Sequence, residues 1–331
     1  MKKLFKVCVT IAVVTMLGSC QGKKAADGSK LPKNIEVQVP AKAGGGTDVM
    51  ARAMTMQMAK DSGSNVTVVN NTDGSGVVAM EKVRTAKNDG STLLQFHTTM
   101  LIKTATNVYK HSAADDFTVI AAAHPVEKIS EILVTSADSK YKTIDDLIKA
   151  AKAAPGTLLF GVETGGTVHI VTGLFAQAAG IEIKYVEAGS DTEKLTALVG
   201  KSIDACFVNP NQAKQYIQSG KVNAIAAVPI DDNPADRSTV LPEVPNMVEL
   251  GYKCIFSTYF LFLGPKNMDK ALVDKLYAMY SSASQNADVI AIVNPAGLDM
   301  VCFPQDQCLD IVKKQQEELN AVVADLGLQK K

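Results

Sequence analysis

Short runs of β-branched residues alternate with helix-length segments along almost the whole chain, and this alternation constrains the fold more than any other feature. "NIEVQV" (34–39) precedes the helix-like "TDVMARAMTMQMAK" (47–60), and "NVTVVN" (65–70), "GVVAMEKVRTA" (76–86) and "TLLQF" (92–96) follow. The middle repeats the plan: "EILVT" (131–135), a helix from about Thr143 to Ala154, "TLLFG" (157–161), then a helix from about Thr167 to Ala179. "EIKYV", "DACFV" and "VNAIAAV" continue it. Strands separated by helices of about ten to fifteen residues imply an α/β protein with parallel sheets and right-handed crossovers. Thr47 or Asp48 is placed to cap the first helix, and Thr143 with Asp146 three residues on forms a near capping box. The closing segment "PQDQCLDIVKKQQEELNAVVADLGL" reads as one long helix with a single stripe to pack against a domain.

The N-terminus reads as an address. Lys2, Lys3 and Lys6 form a positive region, Val7 to Leu17 form a short apolar run, and Gly18 and Ser19 precede Cys20. That run is far short of the roughly 20 residues a helix needs to span a bilayer. Residues 1–19 are therefore expected to be a signal peptide. "LGSC" resembles a lipobox, which makes Cys20 the expected lipidation site, and residues 20–30 are small and polar, as a flexible tether should be. The formal net charge is zero over the full chain and turns slightly negative once the leader's lysines are removed. With no basic excess, nucleic acid is not an expected partner. The length favours two domains over one. Cys206, Cys254, Cys302 and Cys308 show no C-x-x-C spacing, so no metal or redox site is expected. A Cys302–Cys308 bridge and four buried free thiols both remain open.

Two glycine-rich turns stand out. "VPAKAGGGTDVMAR" (39–52) places Gly44, Gly45 and Gly46 between a strand and a helix. "LLFGVETGGTVHI" (158–170) repeats that plan in the middle of the chain. In α/β sheets ligands gather at the carboxyl ends of strands, where the free N–H groups of a helix's first turn suit a negatively charged group. Two such turns in separate halves suggest two lobes closing on one small molecule. Nucleotide motifs fail: "GGGTDV" lacks the third glycine of G-x-G-x-x-G, and Leu195 stands where a P-loop ending in "GKS" (200–202) needs its first glycine. The chain has neither a G-x-S-x-G elbow nor an H-E-x-x-H motif.

These motifs, in this order, resemble the solute receptors of tripartite tricarboxylate transporters, the Bug family of bacterial binding proteins. "VPAKAGGGTDVMAR" is similar to the family's first signature. "NNTDGSGVVAMEKVRTAKNDGSTLLQF", "AAPGTLLFGVETGGTVHI" and "STVLPEVPNMVELGY" match its later ones, and the likeness runs from about Ile35 to Gly327. The resemblance implies a type II periplasmic-binding-protein fold: two α/β lobes joined by two crossing strands, with the ligand cleft between them. It places residues 31–123 and 229–331 in the first lobe and 124–228 in the second, with crossing strands near 117–123 and 223–228. It also implies capture of a small carboxylate, such as a di- or tricarboxylate, for delivery to a membrane permease. A periplasmic or outer-face location, a lipid anchor at Cys20, a monomer, no cofactor and no catalysis complete the expectation.

Carried onto this sequence, the resemblance assigns ligand contacts to Ala43, Gly44, Gly45, Gly46, Thr47 and Asp48 on the first lobe. On the second it assigns Thr164, Gly165, Gly166 and Thr167, and Gly189, Ser190 and Asp191 from "EAGSD" (187–191). His97, Thr98 and Thr99 end a first-lobe strand and are further candidates. One departure concerns the ligand: the family's "V-P-Y-K-G" reads "VEAGS" here, so Glu187 brings a carboxylate where a lysine is usual nearby. Two other readings stand beside this one. A secreted enzyme would use His169, Glu163 or Glu187 as acid or base, and a ligand sensor would report to a membrane signalling partner.

Overall fold

A computed structural model describes residues 30–329. The expected signal peptide, Cys20 and all of the tether except Lys30 lie outside the described residues. The chain opens with β1 (Asn34–Val39), α1 (Gly46–Ser62), β2 (Asn65–Asn70), α2 (Val77–Arg84), β3 (Thr92–His97), α3 (Thr99–Ala105) and β4 (Phe117–Pro125). It continues through β5 (Ile129–Ser136), α4 (Ile144–Ala153), β6 (Leu159–Val162), α5 (Thr167–Ala179), β7 (Lys184–Glu187), α6 (Asp191–Val199), β8 (Ala205–Val208), α7 (Pro210–Gln218) and β9 (Val222–Pro229). It returns as β10 (Phe260–Pro265), α8 (Lys270–Ser284), α9 (Ala287–Val293), β11 (Met300–Cys302) and α10 (Gln305–Asp325).

These elements build two sheets. The first has the order β11-β4-β10-β3-β1-β2 and the second β7-β6-β8-β5-β9. The chain therefore passes from one sheet to the other twice, between β4 and β5 and between β9 and β10. Both sheets are mixed, which corrects the expectation of parallel sheets. β1 runs parallel to β2 and β3, and β6 runs parallel to β7 and β8. However, β10 is antiparallel to both β3 and β4, and β5 is antiparallel to both β8 and β9. The reason is connectivity. A strand that enters from the other sheet has no crossover helix to turn it around, so β5 and β10 insert in the opposite sense.

Local sequence explains the elements. Helix α4 starts at Thr143 with both arms of a capping box formed to Asp146. It buries Ile144, Leu147, Ile148 and Ala151, the one-face spacing of an amphipathic helix. Helix α1 differs from expectation: its N-cap is Gly45, and no side chain caps it. Thr47 and Asp48 lie inside its first turn.

Two cores follow the two sheets. Ile35, Val37, Met50, Met54 and Phe262 fill the first, where Phe262 stacks on Tyr280 at 4.6 Å between ring centroids. Ile132, Val134, Leu195 and Val208 fill the second. Leu241 and Val244 also belong to that second core, although their position beyond residue 229 had placed them with the first lobe. A third cluster runs across both lobes, from Met100 and Phe117 to Phe160 and Phe175, and α10 supplies Val312, Leu319 and Val323 to it. Each such side chain stabilises the fold by about 1.5–3 kcal/mol on burial. The long closing helix thus serves both lobes rather than one. Just past its end, Leu326 lies so close to Gly173 of α5 that a Cβ there would stand 2.7 Å away.

Candidate functional site

The carboxyl ends of β1, β3 and β4 in the first lobe, and of β6, β7 and β8 in the second, bring their following turns to the interlobe cleft. In the first glycine turn each glycine has an internal reason. Gly44 adopts φ +79°, a left-handed conformation that favours glycine. A Cβ on Gly45 would stand 3.2 Å from the Lys42 carbonyl oxygen, and one on Gly46 would stand 3.3 Å from Leu298. Asp48 braces the turn: its carboxylate accepts from the Gly44 N–H at 2.8 Å, from Arg52 at 3.0 Å and from Asn70 at 2.8 Å. Burial alone would raise the Asp48 pKa, but the hydrogen bonds from Arg52, Gly44 and Asn70 outweigh it and hold the group below its ordinary value. Asp48 is therefore an ionised scaffold residue with its acceptor positions used.

The second glycine turn is tied together in a similar way. The Thr164 N–H donates to Glu187 Oε2 at 3.0 Å, the Gly165 N–H to His169 Nδ1 at 3.1 Å, and the Gly166 N–H to the Glu163 carbonyl at 2.9 Å. Gly165 has φ +75°, and a Cβ on Gly166 would meet the Glu163 carboxylate at 3.0 Å. The turn then feeds α5, whose N-cap Gly166 offers no side chain. Both α1 and α5 thus begin at a glycine with no capping side chain, as α2 does at Gly76; α3 and α10 also lack a capping side chain, whereas α4, α6, α7, α8 and α9 are capped by Thr143, Ser190, Asn209, Asp269 and Asn286. The donors left for a ligand lie in the first helical turns, which include Gly46, Thr47 and Thr167, rather than in Gly44, Gly45, Gly165 and Gly166, whose N–H groups are already bonded within the turns.

Other sequence-predicted residues have structural duties. Ser190 and Glu193 form a reciprocal capping box on α6. The Asp191 carboxylate pairs with Lys194 Nζ at 2.8 Å and accepts from the Asn209 N–H at 3.0 Å. Lys194 is 2% exposed; burial works against its charge, but Asp191 and Glu131 outweigh that and raise its pKa. Glu131 shares this pocket, and its Oε2 is buried without a hydrogen-bond partner. Burial, reinforced by Asp191, pushes its pKa up to about 8. Two carboxylates compete for one ammonium, and because Asp191 bonds it directly, Glu131 is held well above the usual carboxylate range. Thr98 is fully buried and ties β3 to the returning chain, accepting from the Tyr259 N–H at 2.7 Å and donating to Gln315 at 3.1 Å. His97 accepts from the Thr99 N–H at 3.3 Å. Burial first, and Lys103 second, lower its pKa to about 4, so it is neutral at ordinary pH.

Three contacts close the cleft. Thr99 Oγ1 and Thr167 Oγ1 stand 3.3 Å apart across the lobes. Lys42 Nζ lies 3.7 Å from Glu193 Oε1, an exposed pair. Gly297, just before β11, is so close to Asn211 of α7 that a Cβ there would overlap its amide. Beside the second glycine turn lies a cavity of about 100 Å³, lined by Ser75, Lys103, Thr106, Thr164, Gly165 and His169 among others. Lys103 was absent from the sequence reading. A lysine in "TTMLIKTA" gives no local signal, and only the fold buries it here, 6% exposed. Glu163, at the start of this turn, is exposed as a residue, yet burial of its carboxyl is the largest influence and raises its pKa, with Lys103 and Lys194 working against it. A separate hollow lined by Ser136, Asp138, Lys201 and Asp204 lies at the opposite end of the second sheet and holds none of the predicted residues.

Among the described residues no group of three or more His, Cys, Asp and Glu is arranged to hold a metal, and no helix is long and apolar enough to cross a membrane. The four described cysteines are free.

Two α/β lobes with helix N-termini opening on a shared cleft define a periplasmic-type solute-binding protein. Residues 50–328 match the family described as the tripartite tricarboxylate transporter family receptor, and the chain belongs to that family. It is 27% identical over 298 residues to the protein BugT of Bordetella pertussis, covering 88% of this chain and 89% of that one. Among solved structures, the periplasmic binding protein BugD superposes with a TM-score of 0.75 at 22% identity, covering 91% of this chain and 100% of that one. MatC from Rhodopseudomonas palustris with bound malate gives 0.73 at 22% identity, covering 88% and 98%.

Proposed function

We propose that this receptor captures a small organic acid outside the cytoplasm, holds it between its lobes without transforming it, and delivers it to a tripartite tricarboxylate-type permease. The observation that carries this reading is the pairing of two uncapped helix N-termini, α1 and α5, on one cleft that Thr99 and Thr167 close at 3.3 Å. First-turn N–H groups and the helix dipole favour a carboxylate, and lobe closure strengthens those bonds by excluding water. The malate bound in the MatC structure supports the same ligand class. The contact set therefore comprises the first turn of α1 around Thr47, the first turn of α5 around Thr167, and Thr99, with Ala43 to Gly46, Thr164 to Gly166 and Gly189 shaping the walls. Two of the candidate acid–base residues, His169 and Glu187, are engaged in holding the second glycine turn, which supports binding over catalysis. The lipobox-like "LGSC" supports anchorage through Cys20, and labelling with a radioactive fatty acid, lost in Cys20→Ala, would test it.

The ligand class is tested by thermal unfolding against a panel of mono-, di- and tricarboxylates, with sugars and amines of similar size as controls. A ligand at a hundred times its dissociation constant adds about 2.7 kcal/mol, or several degrees at this size. A shift with acids alone supports the reading. No shift with any acid removes it.

A further inference from the structure

Hydrogen bonds mark where each crossing between the lobes changes sides. In the first crossing, the Val126 N–H donates to the Asp299 carbonyl at 2.9 Å, which ties Val126 to the first lobe just before β11. The next residue, Glu127, turns to the second lobe. Its carboxylate accepts from the Ile129 N–H at 3.2 Å, from the Thr239 N–H at 3.1 Å and from the Thr239 hydroxyl. Thr239 lies outside the 124–228 span expected for the second lobe, yet its surroundings belong there. Leu241 and Val244 sit in the second core, and the Met247 N–H donates to the Ala227 carbonyl of β9 at 2.8 Å. Asn246 is fully buried, and its Nδ2 reaches the Asn233, Pro234 and Asp236 carbonyls, which holds this loop as one piece.

The second crossing changes sides further along the chain. The Phe256 N–H still donates to the Pro229 carbonyl of β9 at 3.0 Å. The Tyr259 N–H already donates to Thr98 Oγ1 of the first lobe at 2.7 Å. The Ile230 N–H donates to the Lys128 carbonyl at 3.1 Å and joins the two crossings.

We propose that the second lobe runs from Glu127 to about Phe256, that the lobes turn about the Val126–Glu127 and Ser257–Tyr259 linkages, and that Glu127 is a positioning residue for acid binding. Short linkages of this kind are where hinge closure concentrates its backbone change, and Val126 is 49% exposed, with room to move. By clasping Thr239, Glu127 makes the loop of the second crossing follow the first. The α1 and α5 N-termini then meet in one geometry although Glu127 touches neither. Hydrogen bonds to a carboxylate are stronger than neutral ones, which suits a clasp at an exposed position. This rests on the reading of one acid held between the lobes and adds to it the residues that set how the lobes meet.

The test compares the full chain with Glu127→Ala, Glu127→Gln, Thr239→Val and the Glu127→Ala/Thr239→Val double variant. Small-angle X-ray scattering is recorded without acid, and calorimetry uses malate, succinate and citrate as probes. Without acid, Glu127→Ala should show a larger radius of gyration than the wild type, with a similar melting temperature. Its affinity for whichever probe the wild type binds should fall by about threefold to tenfold. Glu127→Gln keeps one acceptor oxygen and should lose less, and the double variant should lose no more than Glu127→Ala alone. Wild-type scattering and affinity in Glu127→Ala, or additive losses in the double variant, overturn the clasp while the carboxylate reading survives. If the wild type binds none of the three acids, the carboxylate reading fails for them, and the scattering, which needs no acid, still decides the clasp.

Discussion

Thr99 Oγ1 and Thr167 Oγ1 stand 3.3 Å apart, one opening α3 on the first lobe and the other opening α5 on the second. This hydroxyl pair joins the lobes at the place where the α5 N–H groups become available. Thr167→Val removes the hydroxyl and keeps the shape, so acid affinity should fall by about threefold to tenfold through lost closure. Thr167→Pro also removes the backbone N–H at the first helical position, which a helix tolerates, and the preceding Gly166 is already extended at φ −96°. The proline variant should lose about tenfold more affinity than the valine variant. Equal affinities for the two variants in calorimetry would show that this N–H does not touch the ligand.

Glu131 sets a pH dependence. Its pKa in the folded protein is about 8, above the ordinary value of 4.5, so the folded state keeps a proton that the unfolded chain releases between those values. The contribution is fully present below about pH 4.5 and is lost as pH rises toward about 8. Glu131→Gln should flatten the fall in stability over that window, measured by urea unfolding at stepped pH. Parallel pH curves for wild type and variant would mean that Glu131 is ionised beside Lys194.

Gly76 adopts φ +84°, and a Cβ there would stand 2.6 Å from Pro40 Cβ. Pro40 follows β1 directly and leads into the first glycine turn. Gly76→Ala therefore combines backbone strain with a clash against a ring that cannot swing aside, and should cost about 2 kcal/mol. Gly63 at φ +67° has open space around it, so Gly63→Ala carries strain alone. The melting temperature should drop further for Gly76→Ala, and only that variant should weaken acid binding.

Cys206, Cys254, Cys302 and Cys308 are free thiols, and burial pushes Cys206 and Cys254 up to about 12. A reductant should leave the melting temperature unchanged. A thiol reagent should react slowly with the native protein and with all four after denaturation. A mass two units low for any cysteine pair, measured without reductant, would reveal a disulfide instead.

Much of the architecture was legible in the chain because its signals are local. Asn34–Val39 and Asn65–Asn70 are strands over the very residues whose β-branched pattern marked them, and the Thr143–Asp146 box starts α4 where capping chemistry requires. The strand directions were not legible, because periodicity reports a strand's faces and says nothing of its neighbours. The roles of the site residues divide the same way. "GGGTD" and "TGGT" announced two turns at helix starts. Only packing showed that Asp48, Ser190 and Asp191 spend their polar atoms on the scaffold.

The sequence by itself determined an α/β chain with two glycine turns placed to expose helix N-termini, since strand pattern, capping and turn chemistry are all written within a few residues. Tertiary structure alone decided which residues line the cleft. Lys103 and His169 are 66 positions apart in the sequence, yet they line one cavity. Thr99 meets Thr167, and α10 packs into a core shared by both lobes. These are long-range juxtapositions set by how two sheets and a closing helix bury their apolar surfaces together, and no local pattern encodes them.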